Sequence, residues 1–205
     1  MTTPRLGAIL LVGGRATRLG GGVKPLIEVG GQTLLSRVVT AARDAGCVPI
    51  IAVGPELDPA APVRWVQEDP PFSGPAAAIA AALEGLDDTA DDGAPEWMLV
   101  LAGDLPHADA VATRLASAAA GDAGDAGDAV IFRAGDRPQW LAGAYRASAL
   151  RDAVRDLGDA LTGASCRALL GGLEIAWLAD DDGITADVDT PADLARVRAA
   201  FEEEP

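Results

Sequence analysis

Short apolar runs alternate with stretches of helical periodicity over the first two thirds of the chain, and this alternation constrains the fold more than any other feature. Residues 6–12, 48–53, 63–67 and 97–102 are runs of strand length. Between them Leu34, Leu35, Val38, Val39 and Ala42 recur at helical spacing, with Gly46 where a helix terminus takes a left-handed residue. The segment SGPAAAIAAAL, residues 73–83, puts Pro75 at a first helical position ahead of helix-favouring alanines. A further helix is expected over 109–119. Strands that are apolar throughout and joined by helices predict an α/β fold: three layers, with a mainly parallel sheet covered on both faces. From about 130 to 180 the alternation breaks. Residues 130–133 and 140–145 suit strands around a turn, helical segments broken at Gly158 and Gly163 follow, and 173–178 suits another strand. This predicts a small antiparallel insertion. DTPADL, residues 189–194, opens the last helix with Thr190 as N-cap, Pro191 at the first position and Asp193 in the first turn.

A length of 205 residues and 49% apolar content suit one domain, 1–205, with a sizeable core. The formal net charge is −15, from 16 basic and 31 acidic residues. That argues against a general nucleic-acid or anionic-membrane surface, either of which needs a basic face. Residues 1–12 do not resemble a signal peptide, and no apolar run approaches the roughly 20 residues of a membrane span. The expectation is a cytoplasmic protein. Cys47 and Cys166 are far apart and in no metal spacing, which suits buried thiols. Trp65, Trp97 and Trp177 lie in apolar runs and are expected in the core. GDAGDAGDA, residues 121–129, is too short and proline-free for collagen and is expected to be a flexible surface loop.

In so acidic a chain the few basic residues are informative where they cluster. LLVGGRATRLGGGVKPL, residues 10–26, leaves the end of the first strand, the edge at which ligands bind in such sheets. The Walker pattern fails, because Val23 precedes Lys24 and Pro25 replaces Ser/Thr, and the dinucleotide pattern GxGxxG fits neither glycine group. What remains is a pair of glycines, Gly13 and Gly14, then Arg18 and Lys24. Bare backbone lets amides approach phosphate oxygens, Arg18 can fork two of them, and Lys24 is a point charge for a third. Asp104, in GDLP at the end of the fourth apolar run, can hold Mg²⁺ against phosphates, or simply cap the following helix. Asp189 is the candidate second metal ligand, with Asp187 behind it. Thr190 fits the helix cap better than Asp189, which leaves Asp189 available. His107, the only histidine, is more easily a surface or capping residue than a base.

These motifs together resemble the nucleotidyltransferases of the molybdenum cofactor guanylyltransferase type. LVGGRATRLGGGVKPL resembles the family's glycine-rich signature loop, SGPAAAI its GPLAGI segment, GDLP its acidic turn after a strand, RPQWLAGAYRASAL its acceptor-side segment and DVDTPADL the start of its last helix. The resemblance implies a Rossmann-like nucleotidyltransferase fold. It also implies transfer of GMP from GTP to the phosphate of molybdenum cofactor, releasing pyrophosphate, with Mg²⁺ as cofactor. Arg18, Lys24 and Asp104 take the catalytic roles in that scheme. Leu11, Val12, Gly13, Gly14 and Asp69 join them in holding the nucleotide, and Arg137, Gln139, Asp187 and Asp189 face the acceptor. Tyr145 fits either the acceptor side or strand packing. GTP and molybdenum cofactor are the expected small-molecule partners, with transient contact to proteins that handle the cofactor. Val12, Val23, Asp187 and Asp189 depart from the residues common in the family. CMP transfer, another small phosphorylated acceptor, or a non-catalytic nucleotide-binding protein of the same fold are therefore the alternatives.

Overall fold

The computed structural model describes residues 3–13, 23–87, 93–121 and 127–203. Seven strands form the sheet at its centre: β1 (Leu6–Leu11), β4 (Ile50–Val53), β5 (Arg64–Val66), β6 (Trp97–Ala102), β7 (Ala129–Ala134), β8 (Arg137–Arg146) and β9 (Ile175–Ala179). Their order across the sheet is β5-β4-β1-β6-β8-β7-β9. Strands β1 and β6 pair in parallel from Leu6↔Trp97 to Leu11↔Ala102, and β4 pairs with β1 on the other side. Only β8 runs antiparallel to its neighbours. The break in the sequence pattern after residue 130 is thus an antiparallel fifth strand inside one continuous sheet.

Alternation along the central strands sorts their side chains onto two faces. Leu6, Ala8 and Leu10 of β1 join Trp97, Leu99 and Leu101 of β6 beneath α1 (Leu34–Asp44) and α3 (Ala108–Ala120). Ile9, Met98 and Val100 point the other way, beneath α2 (Pro75–Asp87), α4 (Ala147–Leu157) and α5 (Cys166–Leu170). Each side chain of this kind that is fully buried contributes roughly 1.5–3 kcal/mol, so both cores are needed to hold the three layers. Helix α1 begins where Thr33 Oγ1 accepts from the Ser36 amide at 3.1 Å and is followed by Gly46 at φ 81°.

A third, smaller cluster packs outside the sheet. Gly30 and Gly31 turn at φ 56° and 74°, closing a hairpin between β2 (Glu28–Val29) and β3 (Gln32–Thr33). Helix α6 (Pro191–Glu203) lies against it, burying Val29, Leu34, Val188 and Val197. The sequence shows this turn but not the two-residue strands, which are too short to carry a period.

One expectation needs correction and one open alternative is decided. Trp177 is not core: it lies on the edge strand β9, 40% exposed, with the Arg133 guanidinium 5.5 Å from its ring centre. An edge strand has a neighbour on one side only, so an apolar run there need not be buried. Tyr145 is fully buried, and its hydroxyl donates to the Trp140 carbonyl at 2.7 Å, so it packs the sheet and faces no acceptor. Trp97, by contrast, is 2% exposed. Cys47 and Cys166 are both buried and free, as expected. Most of the GDAGDAGDA repeat lies outside the described residues. None of the described helices is long and apolar enough to cross a membrane.

Candidate active site

The cleft lies where β1, β4 and β6 end. Those three ends abut because two glycines let them. A Cβ on Gly54, which has φ 139°, would come within 2.8 Å of the Gly13 nitrogen, and one on Gly103 within 3.0 Å of the Leu11 carbonyl oxygen. The Val53 carbonyl accepts from the amides of both Val12 and Gly13 at 3.1 Å, and the Leu11 carbonyl accepts from Gly103 at 2.8 Å. These contacts brace the floor of a cavity of about 720 Å³, a size that suits a nucleotide-scale ligand.

One end of the cavity is ionic. Proline at the second position of the short 3-10 turn Lys24–Leu26 helps fix the chain direction at Lys24. The Lys24 Nζ reaches Asp104 Oδ2 at 2.5 Å and Asp189 Oδ1 at 2.6 Å. Lys24 and Asp104 are each 17% exposed at the side chain, Asp189 50%. Asp187 completes the group: one carboxylate oxygen from each of Asp104, Asp187 and Asp189 lies within 4.8 Å of the others. Burial alone would lower the Lys24 pKa, but the charges and hydrogen bonds of Asp104 and Asp189 outweigh it and hold the ammonium above its ordinary value. Lost hydration, then the negative charges of Asp104 and Asp189, push the Asp187 carboxyl up, with Lys24 opposing. Lys24 is the only lysine in the chain.

Asp189 owes its place to α6. Thr190 Oγ1 and the Thr190 amide both donate to Asp193 Oδ2, at 2.7 and 2.9 Å, and the Asp193 amide donates back to Thr190 Oγ1 at 3.2 Å. This reciprocal cap confirms Thr190 as the N-cap and leaves Asp189 to pair with Lys24. At the far end of α6, Phe201 lies between the Arg37 guanidinium, 4.1 Å from its ring centre, and the His107 ring, stacked at 5.2 Å and 15°. His107 is therefore a packing residue that ties α6 to the start of α3, three residues after Asp104.

The rest of the cavity lining is apolar apart from one acid. Leu11, Gly13, Val53, Gly74, Ala78 and Leu141 belong to it, along with Pro75, Ala102, Glu68 and Phe72. Glu68, not Asp69, is the acid here: both lie in the loop after β5, and that loop puts Glu68 on the cavity wall and leaves Asp69 exposed and off it. Arg137 and Gln139 start β8, opposite Ala134 and Phe132 of β7, and the cavity wall reaches only Leu141 of that strand. The amides of Val12 and Gly13 are taken by Val53, so for these two residues only the remaining backbone groups can meet a ligand. Gly14 and Arg18 lie outside the described residues.

Three carboxylates with no sulfur or nitrogen ligand form a hard oxygen donor set that suits Mg²⁺, an ion that binds a few carboxylates and keeps water for the rest. Lys24 already sits among them and offsets part of their charge.

A family model described as a MobA-like NTP transferase domain matches residues 8–176. The chain belongs to the MobA-like NTP transferase family. Relatives include two proteins named molybdenum cofactor guanylyltransferase from Rhodopseudomonas palustris. One, of strain BisB5, is 38% identical over 108 residues, covering 50% of each chain. The other, of strain HaA2, is 41% identical over 108 residues, covering 48% of this chain and 47% of that one. The chain thus matches about half the length of these curated relatives. Solved structures extend the likeness in fold over nearly the whole MobA-like chain. A nucleotidyl transferase from Methanothermobacter thermautotroptrophicus superposes with a TM-score of 0.68 at 23% identity, over 98% of this chain and 99% of that one. The 2-C-methyl-D-erythritol 4-phosphate cytidylyltransferase of Thermus thermophilus gives 0.65 at 17%, over 96% and 98%.

Proposed function

We propose that this MobA-like chain is a nucleotidyltransferase that moves GMP from GTP onto the phosphate of molybdenum cofactor. The observation that carries the reading is Lys24 held between Asp104 and Asp189 at the mouth of β1 and β6, inside a nucleotide-sized cavity. The names of the curated relatives support the choice of GTP and molybdenum cofactor.

In the proposed reaction an oxygen of the acceptor phosphate attacks the α-phosphorus of GTP. A new P–O bond forms, the bond from the α-phosphorus to the bridging oxygen breaks, and pyrophosphate leaves with the electron pair. The nucleophile is already an anion, so no strong protein base is required, which agrees with His107 being used for packing. The barrier lies in bringing anions together and in the charge that grows on the leaving group. Lys24 holds and neutralises the triphosphate, helped in this scheme by Arg18. Asp104 and Asp189, with Asp187 beside them, would hold Mg²⁺. The ion supplies charge neutralisation to phosphate oxygens when bound. Glu68 is placed to accept hydrogen bonds from a base edge with N–H donors, such as that of guanine.

The test is pyrophosphate release with GTP, CTP and ATP, each with and without molybdenum cofactor. Release only with GTP and the cofactor together supports the proposal. Release with CTP instead moves the reading to cytidylyl transfer, and no release with any pair removes the enzyme assignment.

A further inference from the structure

We infer that Asp180 is a positioning residue for the acids of the cleft: its buried carboxylate fixes the chain register that turns Asp187 and Asp189 toward Lys24. The consequence for metal binding rests on the nucleotidyl-transfer function proposed above; the geometric claim does not. Asp180 directly follows β9, and its amide extends the pairing with β7 by donating to the Arg133 carbonyl at 3.1 Å. The residue is only 8% exposed. Three donors, none of them basic, hold its carboxylate. The Ile184 amide donates to Oδ1 at 2.8 Å, and the Thr185 amide and hydroxyl donate to Oδ2 at 3.2 and 2.5 Å. A carboxylate at this depth is costly unless hydrogen bonds take up its charge. An acceptor-only group matches three donors, whereas an asparagine would set its own N–H groups against some of them.

The brace closes the turn between β9 and the cleft. Gly183 takes φ 70° within it, and the Ala186 amide donates to the Gly183 carbonyl at 3.1 Å. Thr185 is buried, at 5% exposed. Beyond it the side chains alternate. Val188 is fully buried in the small cluster under α6, and Asp187 and Asp189 on either side of it line the cavity. A slip of one residue exchanges the sides of such a pattern, putting Val188 in the cleft and an acid in the apolar cluster. Two devices hold the register: the Thr190–Asp193 cap on the α6 side and the Asp180 brace on the β9 side. Asp180 does not line the cavity, so it acts on the cleft only through the segment that it braces.

The test uses the chain's one lysine. Protein labelled with ¹³C-lysine gives one set of Lys24 signals, whose positions report the carboxylates around the ammonium in the folded state. Asp180→Asn should displace these signals. So should Thr185→Val, which keeps the side chain's shape and removes only the hydroxyl. Thr185→Ser restores the hydroxyl and should leave them at the wild-type position. In both displaced variants the Mg²⁺ concentration for half-maximal pyrophosphate release should rise about tenfold, a typical effect of losing a group that orients metal ligands. A residue serving stability alone would lower the melting temperature and move neither readout. Unmoved Lys24 signals in folded Asp180→Asn therefore overturn the inference; if that variant does not fold, Thr185→Val decides in its place. Equal displacement in Thr185→Ser and Thr185→Val also overturns it, because packing rather than the hydrogen bond would then be the cause. Displaced signals with an unchanged Mg²⁺ requirement overturn the metal consequence. If wild type releases no pyrophosphate with any nucleotide, the proposed function falls, and the Lys24 signals still decide the claim about register.

Discussion

At the scale of single residues, the site turns on one ammonium group among three carboxylates. Lys24 is 2.5 Å from one carboxylate oxygen and 2.6 Å from another, a geometry that suits a compact point charge. Lys24→Ala and Asp104→Ala should each lower pyrophosphate release by about 10²–10³, by analogy with the loss of a transition-state donor worth about 2.7–4 kcal/mol. Circular dichroism should show both variants folded. Near-normal release in either removes that residue from the mechanism. Lys24→Arg makes a sharper test. Its charge is retained, but a planar fork cannot put one nitrogen between both acids, so turnover should still fall at least about tenfold. Full activity in that variant means that charge alone suffices. The sequence shows Lys24, Asp104 and Asp189 as candidates because loop composition and strand ends are local features. It does not show that Glu68 rather than Asp69 meets the cavity, since adjacent side chains differ only in direction and the fold sets that direction.

At the scale of elements, short segments hold the charged groups of the cleft in place. The reciprocal cap at Thr190 fixes the start of α6 and, through it, Asp189. Thr190→Ala should cost about 1 kcal/mol, measured as a lower urea midpoint with an unchanged slope. A midpoint equal to that of wild type would mean that the cap does not bear on stability. The junction of β1 and β4 is tighter. Gly54→Ala adds a Cβ within 2.8 Å of the Gly13 nitrogen at φ 139°, and the neighbour is backbone that cannot rotate aside. The expected loss is about 1–3 kcal/mol, with weaker nucleotide binding because the cleft floor shifts. Strands and helices were legible from period and punctuation wherever a run exceeded three or four residues. The β2–β3 hairpin was not, and neither was the exposure of Trp177, which depends on β9 being the last strand of the sheet.

At the scale of the whole molecule, the buried thiols and the one tyrosine link the cores to alkaline pH. Burial pushes Cys47 up to about 12 and Cys166 to about 11, from 9.0, and raises Tyr145 as well. The folded state therefore keeps protons that the unfolded chain gives up. This stability is complete below the unfolded pKa of 9.0 and is lost as pH rises from there through the folded values. Urea midpoints should hold steady from about pH 7 to 8.5 and fall between about 9 and 11. The fall should be shallower in Cys47→Ala, whatever its midpoint at neutral pH. An identical slope in that variant means that Cys47 does not contribute to the linkage.

The sequence by itself determined the layered α/β plan, the edge of the sheet where the cleft lies, and the loop and strand-end residues that supply charge there. Those are consequences of local periodicity, turn chemistry and residue type. Only the tertiary structure decided that Lys24 meets Asp189, 165 positions further along the chain, that Glu68 and Phe72 share a wall with Leu11 and Leu141, and that Arg137 and Gln139 stay off it. Contacts of that kind depend on strand order and side-chain direction. Both are set by how the whole chain buries its two cores, and neither is written in any one segment.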